Sequence, residues 1–155
     1  MRPNAAAFLA HVVEPTVAEF EMAPYDIRRG LLAAIVLHHM TDHFALDGFA
    51  SHNRQLMNRE IEAARACMQA RCPDFILIRD VADASKHAKL ASSKEVPRQL
   101  SSSQQLSATP GLLEAQFGHG VFAEGAEVFA VLDDDTTHPL LPAVRAVLTA
   151  WKSML

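Results

Sequence analysis

The sequence predicts a mainly α protein: a four-helix bundle core, then a small β-hairpin and a C-terminal helix. Three observations carry that expectation. Four segments before residue 91 have helical length and apolar residues at helical spacing. The stretch 92–110 loses periodicity and turns rich in Ser, Gln and Pro. The last third has a short run of β-formers, then a renewed helical stripe. With 155 residues, the chain is expected to form one domain with a sizeable core. Its expected parts are a bundle over 1–91, a mobile connection over 92–110, and a hairpin plus helix over 111–155.

The first helix is expected from Asn4 to Met22, with Asn4 as cap, Phe8, Val12, Val13, Val17 and Phe20 as its stripe, and Pro15 as a kink or break. The second runs from Asp26 to about Leu46. Its GLLAAIVL run is apolar all round, which predicts contacts on several sides, and it then turns polar in HHMTDHF. The third spans Asn53 to Arg71 and ends at Cys72–Pro73. The fourth, Asp74 to Leu90, follows at once, so the two are expected to form an antiparallel pair. In that fourth helix Asp74 is the expected cap, and Ile78, Val81, Ala82, Ser85 and Ala88 the buried face. Leu112 to Phe122 and Glu127 to Leu132 read as two strands around a turn at Ala123 to Ala126, with Asp133–Asp135 as an exposed turn. Pro139 opens the last helix, whose stripe makes Trp151 a core anchor.

Composition narrows the function classes. Half of the residues are hydrophobic and 21% are charged, with a net charge of −4. That is the balance of a globular protein, without a global basic field for nucleic acid or anionic lipid. No apolar run is long enough to span a bilayer, and Ala5 to Val13 makes a poor signal peptide. The expectation is a cytoplasmic chain without membrane partners, in which Cys67 and Cys72 stay reduced; their spacing is not that of a zinc knuckle. A Gly-x-Ser-x-Gly elbow is missing, and Gly118–Gly120 is too short for a phosphate loop.

The candidate chemistry lies on two helices. Eight histidines are present, three of them at 38, 39 and 43. His39, Asp42 and His43 can share one helical face, while Met40 replaces the glutamate of a zinc-protease motif. Asp80, Asp83 and His87 stand at i, i+3 and i+7 on the fourth helix. Were the two faces to meet, His39, Asp42, His43, Asp83 and His87 would form a ligand pool for zinc or another divalent transition metal. The alternative is a buried network in which His and Asp satisfy one another. Lys86 and Lys89 read as a solvated face; with Lys94 and Arg98 they make a modest basic strip running into the mobile connection, with phosphate as a weaker option.

The segment IRDVADASKHAKL, residues 78–90, looks like the KH-containing helix of small uncharacterised bacterial proteins, which in turn resemble the HEPN superfamily (higher eukaryotes and prokaryotes nucleotide-binding domains). The resemblance covers residues 5 to 90 and rests on short motifs. It implies a helical bundle, often dimeric, and an RNA-acting or toxin–antitoxin and defence-associated role. Its active members use an Arg, a following polar residue and a His, which fall here on Arg79, Asp80 and His87. Seven residues separate Arg79 from His87 in this sequence, so the two fall roughly 80° apart at about 100° per residue. The resemblance implies His87 as general acid or base on a ribose hydroxyl and Arg79 as phosphate stabiliser. Three functions follow as expectations: a HEPN-like RNA-acting domain, a metal-binding bundle, and a non-catalytic, homo-oligomeric interaction module.

Overall fold

The computed structural model describes residues 4–109 and 126–155. Its elements are α1 (Ala5–Phe8), a π-helical turn (Leu9–Val13), α2 (Glu14–Met22), α3 (Ile27–Ala45), α4 (Arg54–Arg71), α5 (Phe75–His87), a 3-10 turn (Ser103–Gln105), β1 (Leu106–Ala108), β2 (Val128–Val131), β3 (Thr137–Pro139) and α6 (Leu140–Met154). The mainly helical class, the small sheet and the C-terminal helix agree with the sequence.

Local chemistry accounts for most boundaries. Asn4 accepts from the Ala7 amide, Asp26 from Arg29, and Asn53 from both Gln55 and Leu56, so three helices start on side-chain caps. Pro15, the second residue of α2, lacks the N–H that would close an α-turn, and the chain passes it as a wider π turn in which Glu14 N–H reaches Leu9 O. Asp74 is not the cap its position predicts. It already has helical dihedrals and makes no side-chain capping bond, because the carbonyls of Cys72 and Pro73 take the Phe75 and Ile76 amides. At the other end Ala88 has φ 60°, which stops α5 at His87, earlier than the expected Leu90.

α3 is the central helix. It packs against α2, α4, α5 and α6, as expected of an all-round apolar run. The expected α4–α5 pair is a minor contact; α5 lies mainly on α3. The reason is composition. α4 buries only Ala64 and Met68, whereas α5 buries Phe75, Leu77, Ile78, Val81, Ala82 and Ala84. Ser85 and Ala88, expected on that buried face, are exposed near the helix end. Trp151 on α6 is fully buried and donates its Nε1–H to Leu37 O at 3.0 Å. Gly30 marks a close approach to α3, where a Cβ would stand 3.0 Å from Leu140 and 3.2 Å from Phe20.

The sheet is antiparallel in the order β1-β2-β3. Leu106 pairs with Ala130, and Ala130 with His138. β2 agrees with the expected strand from Glu127, and the Asp133–Asp135 turn follows, with Asp135 at φ 66°. The other expected strand, Leu112 to Phe122, and the turn from Ala123 lie outside the described residues. β1 falls instead in the stretch expected to be a mobile connection. Residues 92–109 form a strap with definite anchors. Leu100 is buried, Lys89 bridges to Ser102, and Leu90 N–H bonds to Ser101 O. Gln105 Oε1 accepts from the Ser101 and Ser102 amides, while its Nε2 donates to Val131 O and Asp133 Oδ1. The strap lacks periodicity because side chains and turns, rather than a repeating ladder, satisfy it.

Candidate functional site

Asp80 is the centre of the polar structure. Helical periodicity turns it, with Asp83 one turn later, to the side of α5 that the strap crosses. Its side chain is wholly buried. Oδ1 accepts from Arg79 Nε at 2.9 Å, Arg79 Nη2 at 2.7 Å and Arg98 Nη1 at 2.9 Å. Oδ2 accepts from the Gln99 amide at 2.7 Å and, at 3.4 Å, the Leu100 amide. Arg79 Nη2 also donates to Pro97 O at 2.7 Å, and Arg98 Nη1 to Asp83 Oδ2 at 2.7 Å. Two carboxylates face two guanidiniums, so the cluster is electrically balanced. Burial alone would disfavour the charged Arg98, but its hydrogen bonds and the fields of Asp83 and Asp80 hold its pKa above the ordinary value. The arrangement is a clasp: α5 supplies the anions and Arg79, and the strap supplies Arg98 and two backbone amides.

His38, on α3, approaches this clasp. Its Nδ1 is 3.9 Å from Asp83 Oδ1 and its ring centroid 6.1 Å from that of Phe75. Burial lowers its pKa to about 4, against the opposing pull of Asp83 and with help from Arg65 and His39. It is therefore neutral at neutral pH. Among the described residues, His38 Nε2 and, one turn on, Thr41 Oγ1 are buried without a hydrogen-bond partner.

The sequence-predicted sites separate into three places. Arg79 and Asp80 are joined in the clasp, but His87 is an exposed residue of the last turn of α5 and does not line the cleft that Arg79 lines. The expected catalytic set is thus not gathered: eight residues on at about 100° each, His87 falls roughly 80° round α5 from Arg79, on the exposed side of its last turn. The expected metal pool is not gathered either. His43 stacks on Phe8 with ring centroids 3.6 Å apart, and it walls, with Asp42 and Asp47, a separate cleft of about 720 Å³. Burial there lowers the His43 pKa, opposed by Asp42. His39 is exposed, and Asp83 is paired with Arg98. Among the described residues, no group of three or more His, Cys, Asp or Glu side chains is placed to hold a metal ion.

Arg98 is the residue the sequence assigned to the wrong environment. It belongs to the basic strip read as running into a mobile connection, yet it folds inward onto Asp80 and Asp83. The signal that could have found it is the pair of acidic residues on a helix otherwise rich in core side chains, which needs a cation from elsewhere in the chain.

Between α4, α5 and the strap lies a cleft of about 400 Å³, walled by Glu62, Arg65, Arg79, Asp83, Glu95 and Arg98 among others. Arg65 pairs with Glu62 one turn away. Among the described residues, the Nε–H groups of Arg65 and Arg98 are buried without a hydrogen-bond partner. Compared with family models, curated proteins and solved structures, the chain has no match. Among the described residues, no helix is long and apolar enough to cross a membrane.

Proposed function

We propose that the protein is a non-catalytic binding module on a HEPN-like helical scaffold, in which the Asp80 clasp is structural and the cleft beside it receives the ligand. The saturation of Asp80 is the observation that supports this reading. Five donors converge on two oxygens, about as many as a carboxylate accepts. Such a group has no lone pair free to take a substrate proton. Arg79 is committed to Asp80 and Pro97, and His87 lies apart from the cleft it would have to serve. The cleft has the size of a small-molecule site, and its floor is held rigid by the clasp.

The competing reading is RNA cleavage by Arg79 and His87, as the HEPN resemblance implies. An RNA-cleavage assay on the wild type and His87→Ala separates the two. The binding reading expects no cleavage by either protein and the same far-UV spectrum for both. Wild-type cleavage that disappears in a folded His87→Ala would refute it.

A further inference from the structure

α5 ends where its sequence carries no stop. Residues 84–91 read ASKHAKLA, mostly good helix formers, and neither Gly nor Pro occurs from Asp74 to Val96. The helix nevertheless breaks at Ala88, which has φ 60° and ψ −42°. Ala88 N–H still closes an α-turn on Ala84 O at 2.8 Å, but Lys89 N–H turns back to His87 O at 2.6 Å. A hydrogen bond spanning two residues around a positive φ is a γ-turn of the strained kind, which an L-residue keeps only where its surroundings impose it.

The strap imposes it here. Leu90 N–H donates to Ser101 O at 2.7 Å, Ser103 N–H donates to Ala88 O at 3.0 Å, and Lys89 bridges to Ser102. Gln105 holds the Ser101 and Ser102 amides, while Arg98 and the Gln99 and Leu100 amides fasten the strap to Asp80. Lifting the strap would remove all of these constraints on Ala88 together. Helical dihedrals through residue 90 would then offer the Lys89 and Leu90 amides the carbonyls of Ser85 and Lys86, four residues back. Each amide thus has an acceptor in either arrangement. The docked arrangement keeps the buried Leu100 and the clasp, and carries the strain at Ala88.

We propose that the C-terminal end of α5 is a two-state device: it stops at His87 while the strap is docked, and extends through Leu90 when the strap lifts. Strain stored at Ala88 favours the release. Glu95, Val96 and Arg98 wall the α4–α5 cleft from the strap side, so lifting the strap also takes away that wall. The device belongs to the scaffold and stands whether or not the cleft takes a ligand.

The test has two arms on the full chain. In the first, Ala88→Gly is compared with wild type by calorimetry. Ala→Gly ordinarily destabilises, but Gly accepts the positive φ without strain, so Tm is expected to rise by roughly 2–5 °C. A Tm that is unchanged or lower would overturn the proposal. In the second, Arg98→Met/Leu100→Ser removes the clasp contact and the core anchor that hold the strap. NMR Cα shifts of the wild type should be helical to His87 and non-helical over residues 88–90. In the double variant they should become helical through Leu90, with the Lys89 and Leu90 amides still protected while Gln99 and Leu100 exchange freely. Adding Ala88→Gly to that variant should shorten the helix again, because Gly disfavours helical continuation. Shifts over residues 88–90 that stay non-helical in the folded double variant would overturn the two-state end and leave Ala88 as a fixed turn. The first arm decides independently if the double variant does not fold.

Discussion

Replacing Asp80 by Asn tests whether the clasp holds the strap. The shape of the side chain is kept, but one negative charge is lost and an NH2 group is placed among donors. Arg79 and Arg98, with side chains only 7% and 13% exposed, are then left with Asp83 as the one nearby counter-ion of the cluster. Summing five hydrogen bonds at charged-group strength would give roughly 7–15 kcal/mol, which exceeds what the whole fold has to lose. The Asn carbonyl keeps part of the network and the guanidiniums relax toward solvent. The cost of breaking one buried ion pair, about 3–5 kcal/mol, is the better guide. For a chain of this length that lowers Tm by roughly 6–20 °C. Calorimetry and urea titration read the stability, and hydrogen exchange reads the location. The Gln99 and Leu100 amides, which donate to Oδ2, should lose protection well before the core of α3. Arg98→Met and the double variant complete a cycle, with a coupling of about 1–3 kcal/mol expected between Asp80 and Arg98. An Asp80→Asn protein within about 1 kcal/mol of wild type, with Gln99 and Leu100 still protected, would refute the clasp.

Two further predictions follow from ionisation. His38 titrates at about 4 in the folded chain against an ordinary value of 6.5, so the unfolded state binds more protons between those values. Its contribution is absent above pH 6.5 and becomes destabilising as the pH falls toward 4, reaching roughly 3 kcal/mol. Stability curves of wild type and His38→Gln should converge in shape above pH 6.5 and part below it; parallel curves down to pH 4 would contradict this. Burial, reinforced by Asp74, raises the pKa of Cys72, whereas Cys67 is exposed. Alkylation of the native protein at pH 8 should therefore label Cys67 first and reach Cys72 only on unfolding, as peptide mapping by mass spectrometry would show.

Which features could be read from the sequence follows the range of the interaction that makes them. Asn4 and Asp26 cap helices through bonds to residues three positions on, so four letters contain the information. The burial of Trp151 could be read from its stripe, but its bond to Leu37, 114 positions away, could not. Asp80 and Asp83 were recognisable as neighbours because a helix has one repeat. Their partner Arg98 stands 18 and 15 positions away in a segment with no repeat at all, where nothing in the pattern fixes a side chain's direction. The histidines mislead for the same reason. His39, Asp42 and His43 share a helical face as expected, but that face meets Phe8 and an open cleft rather than α5, and helical spacing does not say what lies opposite it.

The clasp has a consequence for how this sequence can drift. Positions 79, 80 and 98 hold their charges away from water, so a change at one leaves a liability at the others. Loss of Asp80 strands two buried cations; loss of Arg98 leaves Asp80 with Arg79 alone and takes from Asp83 its guanidinium partner. Single steps through these intermediates are disfavoured, whereas an apolar set at all three positions could pack as well or better. Substitutions there are expected to travel together, with compensating change reaching across eighteen residues. In the strap, Gln105 and Ser102 are constrained by their own hydrogen bonds, whereas exposed letters such as Ser92 and Lys94 can vary more freely. A saturation library of the strap and α5, selected for folding, would display that coupling as paired survival.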